Sequence, residues 1–260
     1  MNDFWSAWPW PLATALLGFV FTWLVFRQWL ARRKPHQLAW TVGLLFYSVA
    51  AVMESWSEYV QHWDPTVYRV YIVLAASLVG FLGLGSLYLI VHRRVWGHVY
   101  LTFNLVCMAV FLYGTFTTPL RGRLAAGITV GGSALGAATS FPRIMSLPFN
   151  IPGSFFLLGG ALLSVWRFAG KREYRYRMWA NVLIALGTVV IAFVGGKARA
   201  GSTVGLYPAE MVASALLLWG FLLAGTLEKG ARAAGAARRA SRVPETMAPA
   251  DEAPPPAEAR

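Results

Sequence analysis

Glu54, Glu58 and His62 follow one another at intervals of four along a largely apolar stretch, and Glu210 enters another such stretch just after Tyr207 and Pro208. An interval of four places successive side chains on one stripe of a helix. A carboxylate at membrane depth costs about 2.5–3.5 kcal/mol on insertion scales, so partners or use must offset it. Two chemistries fit these residues. Glu54, Glu58 and Glu210 together could bind a cation or exchange a proton. Alternatively Glu58 and His62 could hold a metal ion, with Glu210 or Asp64 adding an oxygen. A purely structural alternative also stands: Glu58 and His62 reach water at the surface, Glu54 pairs with Lys197 or Arg199, and Glu210 sits in a first helical turn where the dipole favours a carboxylate.

Asn150 belongs to a different pattern. It lies in Leu147-Pro148-Phe149-Asn150-Ile151-Pro152-Gly153, where two prolines and a glycine free backbone groups. Such a break survives at membrane depth only when buried in protein or beside a wet cavity. There Asn150 would help to orient a solute. The alternative is a plain helix start, with Pro148 in the first turn, where its missing N–H matters little.

The elements that must carry these residues follow from composition. The chain has 260 residues, 57% hydrophobic and 13% charged, with 12 Trp, an apolar excess that a soluble domain could not bury. Seven runs of about 20 residues match the helical span of a bilayer core about 30 Å thick. Their expected limits are 10–30, 38–60, 69–92, 97–117, 144–167, 178–196 and 206–227, and their length excludes barrel strands. The fold class is therefore all-α, an integral membrane protein of seven transmembrane helices.

Basic residues cluster at alternate ends: Arg27, Arg32, Arg33 and Lys34, then Arg93 and Arg94, then Arg167 to Arg177, then Lys229 to Arg242. By the positive-inside rule this gives an amino terminus outside and a carboxyl terminus in the cytoplasm, in the cell membrane. The net charge of +12 reads as topology rather than as a nucleic-acid surface, because it is dispersed among loops. Trp40 and Trp63, like other tryptophans at helix ends, are expected at the headgroup level. The connection 118–142, rich in Gly, Ala, Ser and Thr, reads as a flexible or membrane-dipping loop. Residues 230–260 read as a disordered cytoplasmic tail beyond a transmembrane domain at 1–229.

The first three runs recur near the end of the chain. Pro11 with Leu16-Leu17-Gly18 returns as Pro152 with Leu157-Leu158-Gly159, and Gly80-Phe81-Leu82 returns as Gly220-Phe221-Leu222, about 140 residues later in each case. This pattern is expected of a parallel duplication, with repeats at about 10–92 and 144–227 joined by a linker helix at about 97–117. Three helices, one inverting helix and three more resemble the layout of the SWEET sugar transporters and the PQ-loop family, and are similar to the layout proposed for microbial rhodopsins. Pro11 and Pro152 occupy matching places in the two halves, as prolines do in SWEET proteins. No helix holds a Pro-Gln dipeptide, however, and Lys197 precedes the seventh helix instead of lying within it. The resemblance thus implies fold and solute transport, and assigns no residue a role.

Other classes lack their motifs. Cys107 is the single cysteine, there is no nucleophile elbow or His-Glu-x-x-His, and no cofactor is expected. The expected partners are the lipid bilayer and a small solute or cation bound near the outer face, with no nucleic acid. A non-catalytic sensor or accessory subunit docking on a membrane-protein partner is the first alternative, and a metal-dependent intramembrane enzyme the second.

Overall fold

Proline opens the first three helices. Pro9, Pro35 and Pro65 each stand at the start of a helix, where the missing N–H breaks no intrahelical bond and the fixed φ suits the first turn. The computed structural model describes residues 7–91, 93–126, 130–168 and 175–240. Its helices are α1 (Pro9–Arg32), α2 (Pro35–Val60), α3 (Pro65–Ile90), α4 (Arg94–Thr117), the short α5 (Phe141–Met145), α6 (Leu147–Phe168), α7 (Arg175–Arg199) and α8 (Leu206–Ala240). Asp64 caps α3, its Oδ1 accepting from the Thr66 and Val67 N–H groups at 2.8 and 3.0 Å, which satisfies two of the orphan donors of a helix start.

Seven helical segments are long and apolar enough to cross a membrane, and among the described residues there is no strand, only the isolated bridge between His62 and Ala125. Their lipid-facing character shows in side chains such as Phe155 and Trp166, which are 72% and 75% exposed. Patches this apolar need a bilayer around them. The architecture is that of a multi-pass, seven-helix membrane protein.

Six helices form a ring in the order α1, α2, α3, α6, α7, α8, with α8 closing back on α1, while α4 packs outside the ring mainly against α3. Small residues allow the closest crossings. A Cβ on Gly153 would stand 2.5 Å from the Val79 carbonyl oxygen, and one on Gly83 would stand 2.4 Å from the Gly153 Cα. Helices α3 and α6 therefore meet backbone to backbone at this point.

Several expectations change. The connection 118–142 is built into the fold, with Val130, Ala134 and Leu135 buried. Arg121 N–H donates to the Ala134 carbonyl at 2.8 Å and Trp63 N–H to the Leu124 carbonyl at 2.8 Å. Within it the 3-10 turn Val130–Leu135 lies against α7: Gly131 has φ +80, and a Cβ there would meet the Ala198 carbonyl oxygen at 2.5 Å. Trp63 is fully buried within the protein, its ring centroid 4.7 Å from that of Tyr71. Trp40 turns inward and donates Nε1–H to the Leu82 carbonyl at 3.1 Å. Finally, α8 continues as helix to Ala240, so the start of the expected tail is helical. Residues 241–260 lie outside the described residues.

Candidate functional site

Inside the ring lies a cavity of about 550 Å³, and six polar or charged side chains on its wall matter to the argument: Glu54, Tyr71, Arg143, Asn150, Arg199 and Glu210. They come from α2, α3, α5, α6, α7 and α8 in turn. The Val130–Leu135 turn also contributes to the lining, together with Phe111 of α4. Tyr47, Leu78, Val79 and Ser154 are shared with a second, apolar cavity of about 60 Å³, whose wall includes Leu17, Phe21, Leu44 and Leu217. The larger chamber, a mostly apolar wall with these polar groups set in it, thus adjoins a narrow, leucine-rich constriction.

Glu54 sits about three-quarters of the way along α2 and is 5% exposed. Its Oε1 accepts from the Tyr71 hydroxyl at 2.5 Å, a bond that a buried carboxyl group requires. Neither of its expected cationic partners joins it. Arg199 binds main-chain and hydroxyl oxygens instead, and Lys197 places its ammonium 5.9 Å from the centre of the Phe193 ring. One turn further on, Glu58 is also 5% exposed, and its Oε1 accepts from the Tyr207 hydroxyl at 2.5 Å. Glu58 is absent from the cavity wall.

Glu210 reaches the cavity from the second turn of α8, not from the first turn where the dipole would favour it. Its main-chain carbonyl accepts from Ser214 Oγ at 2.7 Å and from Tyr47 Oη at 3.4 Å, and Tyr47 Oη and Ser214 Oγ lie 2.6 Å apart. Asn150 spends its Nδ2 on the Ala76 carbonyl at 3.1 Å and the Ser146 carbonyl at 2.8 Å. The first of these ties α6 to α3. Pro148 does fall in the first turn of α6, while Pro152 is inside the helix, so the Pro148 carbonyl loses its usual helical donor.

The sequence-predicted residues therefore divide. Glu54, Asn150 and Glu210 share one cavity, whereas Glu58 is engaged in a separate bond and His62 is exposed. Among the described residues no three His, Cys, Asp or Glu side chains gather as a metal centre would require. Three tyrosines, Tyr47, Tyr71 and Tyr207, escaped the sequence reading. Their signal was available in principle, since a phenol buried in an apolar helix must find an acceptor, but which acceptor depends on contacts between distant helices.

The fold and cavity define a multi-pass membrane protein with a chamber inside a helical ring, its wall carrying a few polar and charged groups. No protein-family profile, curated protein or solved structure matches the chain.

Proposed function

We propose that this chain binds a small solute in the central chamber and moves it across the cell membrane, with the chamber near the outer face. The observation that carries the reading is that Glu54, Asn150 and Glu210, from three separate helices, line one cavity. In this reading Glu54 and Glu210 bind a cation or exchange a proton, and Asn150 orients the solute. The leucine-rich constriction is the closed side of an alternating-access pathway. Ring order supports the duplication: α1, α2 and α3 contact one another in succession as α6, α7 and α8 do, and the two triplets meet at α3 with α6 and at α8 with α1. The distribution of Arg and Lys supports an outer amino terminus and a cytoplasmic carboxyl terminus.

A second reading, a non-transporting sensor or accessory subunit, draws on α4. That helix stands outside the ring, and its Trp96, Val99 and Val106 are exposed, a surface that suits a membrane-protein partner as well as lipid. The two readings separate in one assay. Purified protein is reconstituted into vesicles loaded with a pH-sensitive dye, and amino acids, sugars and organic acids are added in turn. Solute-dependent proton or cation movement that Glu54→Gln abolishes supports transport. If no solute moves and the protein co-purifies stoichiometrically with another membrane protein, the transport reading fails.

A further inference from the structure

Two guanidinium groups line the chamber with no carboxylate paired to them among the described residues. Arg143, 8% exposed, donates from Nη1 to the Gly136 carbonyl at 3.0 Å and from Nη2 to the Arg199 carbonyl at 2.6 Å. Its Nε is buried and has no partner among the described residues. Arg199 donates from Nη2 to the Arg143 carbonyl at 2.6 Å and from Nη1 to Ser146 Oγ at 2.8 Å. Every one of these acceptors is neutral. Each terminal nitrogen uses one of its two hydrogens, so further donors stay available for a ligand.

Arg143 is buried and Arg199 half-buried, and placing two like charges side by side is unfavourable unless an anion joins them. Rigid, planar guanidinium donors match the geometry of a carboxylate, as they match that of a phosphate. Among the described residues the carboxyl groups on the same wall have no cationic partner: Glu54 accepts from a tyrosine, and the side-chain hydroxyls that bond to Glu210 meet its main-chain carbonyl. The chamber thus keeps its two signs of charge apart instead of collapsing them into ion pairs, and about 550 Å³ accommodates a molecule of amino-acid size.

We infer that the solute is a zwitterion, whose anionic group docks on Arg143 and Arg199 and whose cationic group docks on Glu54 and Glu210. The inference rests on reading the chamber as a solute site and adds the class of solute. Its test is calorimetric titration of the purified full chain with glycine, β-alanine, 4-aminobutyrate and 6-aminohexanoate, a series that spans charge separation. Each is compared with the acid lacking the amine and with the amine lacking the acid. At least one amino acid should bind about tenfold or more tightly than either parent.

For that ligand, Arg143→Gln should reduce binding to the level of the plain amine, and Glu54→Gln to the level of the plain acid. Arg199→Gln, at a half-buried position, gives a second test should the first variant fail to fold, and the comparison of probes on the unaltered protein needs no variant. Plain amines or plain acids binding as tightly as the amino acids would overturn the inference, as would a series in which nothing binds. In either case, movement of a neutral solute in the vesicle assay would leave the chamber's role as a solute site standing, whereas absence of all solute movement would remove that role as well.

Discussion

Tyr207 and Glu58, 149 positions apart in the chain, meet with the Tyr207 hydroxyl donating to Glu58 Oε1 at 2.5 Å. Both are buried. The bond joins the start of α8 to the end of α2 and so fastens the last ring helix to an early one. A hydrogen bond to a carboxyl group contributes about 1.5–3 kcal/mol, and stranding its partner costs a comparable amount. Tyr207→Phe and Glu58→Leu, which removes the acceptor, should each lower the thermal unfolding temperature of the detergent-solubilised protein. The double variant should lose less than the sum of the two, a coupling that a double-mutant cycle measures. Simple additivity would mean that the contact contributes nothing.

Glu54 and Tyr71 form the corresponding pair on the chamber wall, and here function and stability should come apart. Tyr71→Phe leaves the carboxyl group in place but removes its donor, at a cost of about 1–3 kcal/mol in stability. Glu54→Gln keeps an acceptor for the Tyr71 hydroxyl, so unfolding should shift little while proton or cation dependence of solute movement disappears. Equal transport by the Glu54→Gln protein and the parent would leave Glu54 with a structural role only.

Close packing of α3 on α6 predicts an asymmetry among glycines. Gly153→Ala must push its methyl against the Val79 carbonyl, whereas a Cβ on Gly159 meets nothing within 4 Å. Overpacking of this kind costs about 1–3 kcal/mol, while relief of glycine's backbone freedom gains up to about 1 kcal/mol. Gly153→Ala should therefore unfold earlier and Gly159→Ala at the same temperature or later, as read by a thermal-shift assay. The reverse order would contradict the backbone contact.

Orientation is open to chemical labelling. On a Cys107→Ser background, a cysteine replacing Arg123 in the connection between α4 and α5 should react with a membrane-impermeant maleimide in intact cells. A cysteine replacing Arg94, at the first residue of α4, should react only after permeabilisation. The opposite pattern would invert the expected topology.

Much of the fold was legible in the sequence because a bilayer makes two demands that a linear chain displays openly: about 20 apolar residues per crossing and basic residues at one set of loops. The runs at 10–30, 38–60 and 97–117 correspond to Pro9–Arg32, Pro35–Val60 and Arg94–Thr117. Glu54 and Glu210 were also legible as candidates, since a carboxylate in an apolar run stands out by its cost. The reading of Glu58 with His62 assumed one continuous helix, whereas an interval of four specifies a shared helix face and says nothing about where the helix ends. His62 follows α2, beyond the Gln61 cap with φ +58, and is exposed.

The sequence alone determined that the chain is helical and lipid-facing, and that a few ionisable groups lie within its crossings, because these properties come from local composition and period. Tertiary structure decided the rest. Burial of Trp63, the pairing of Glu54 with Tyr71 and of Glu58 with Tyr207, and the mutual hold of Arg143 and Arg199 all depend on which helices become neighbours in the ring. Hydropathy cannot express that choice, since inside a bilayer every apolar face is equally satisfied by lipid. Close packing and polar pairing between helices select one arrangement.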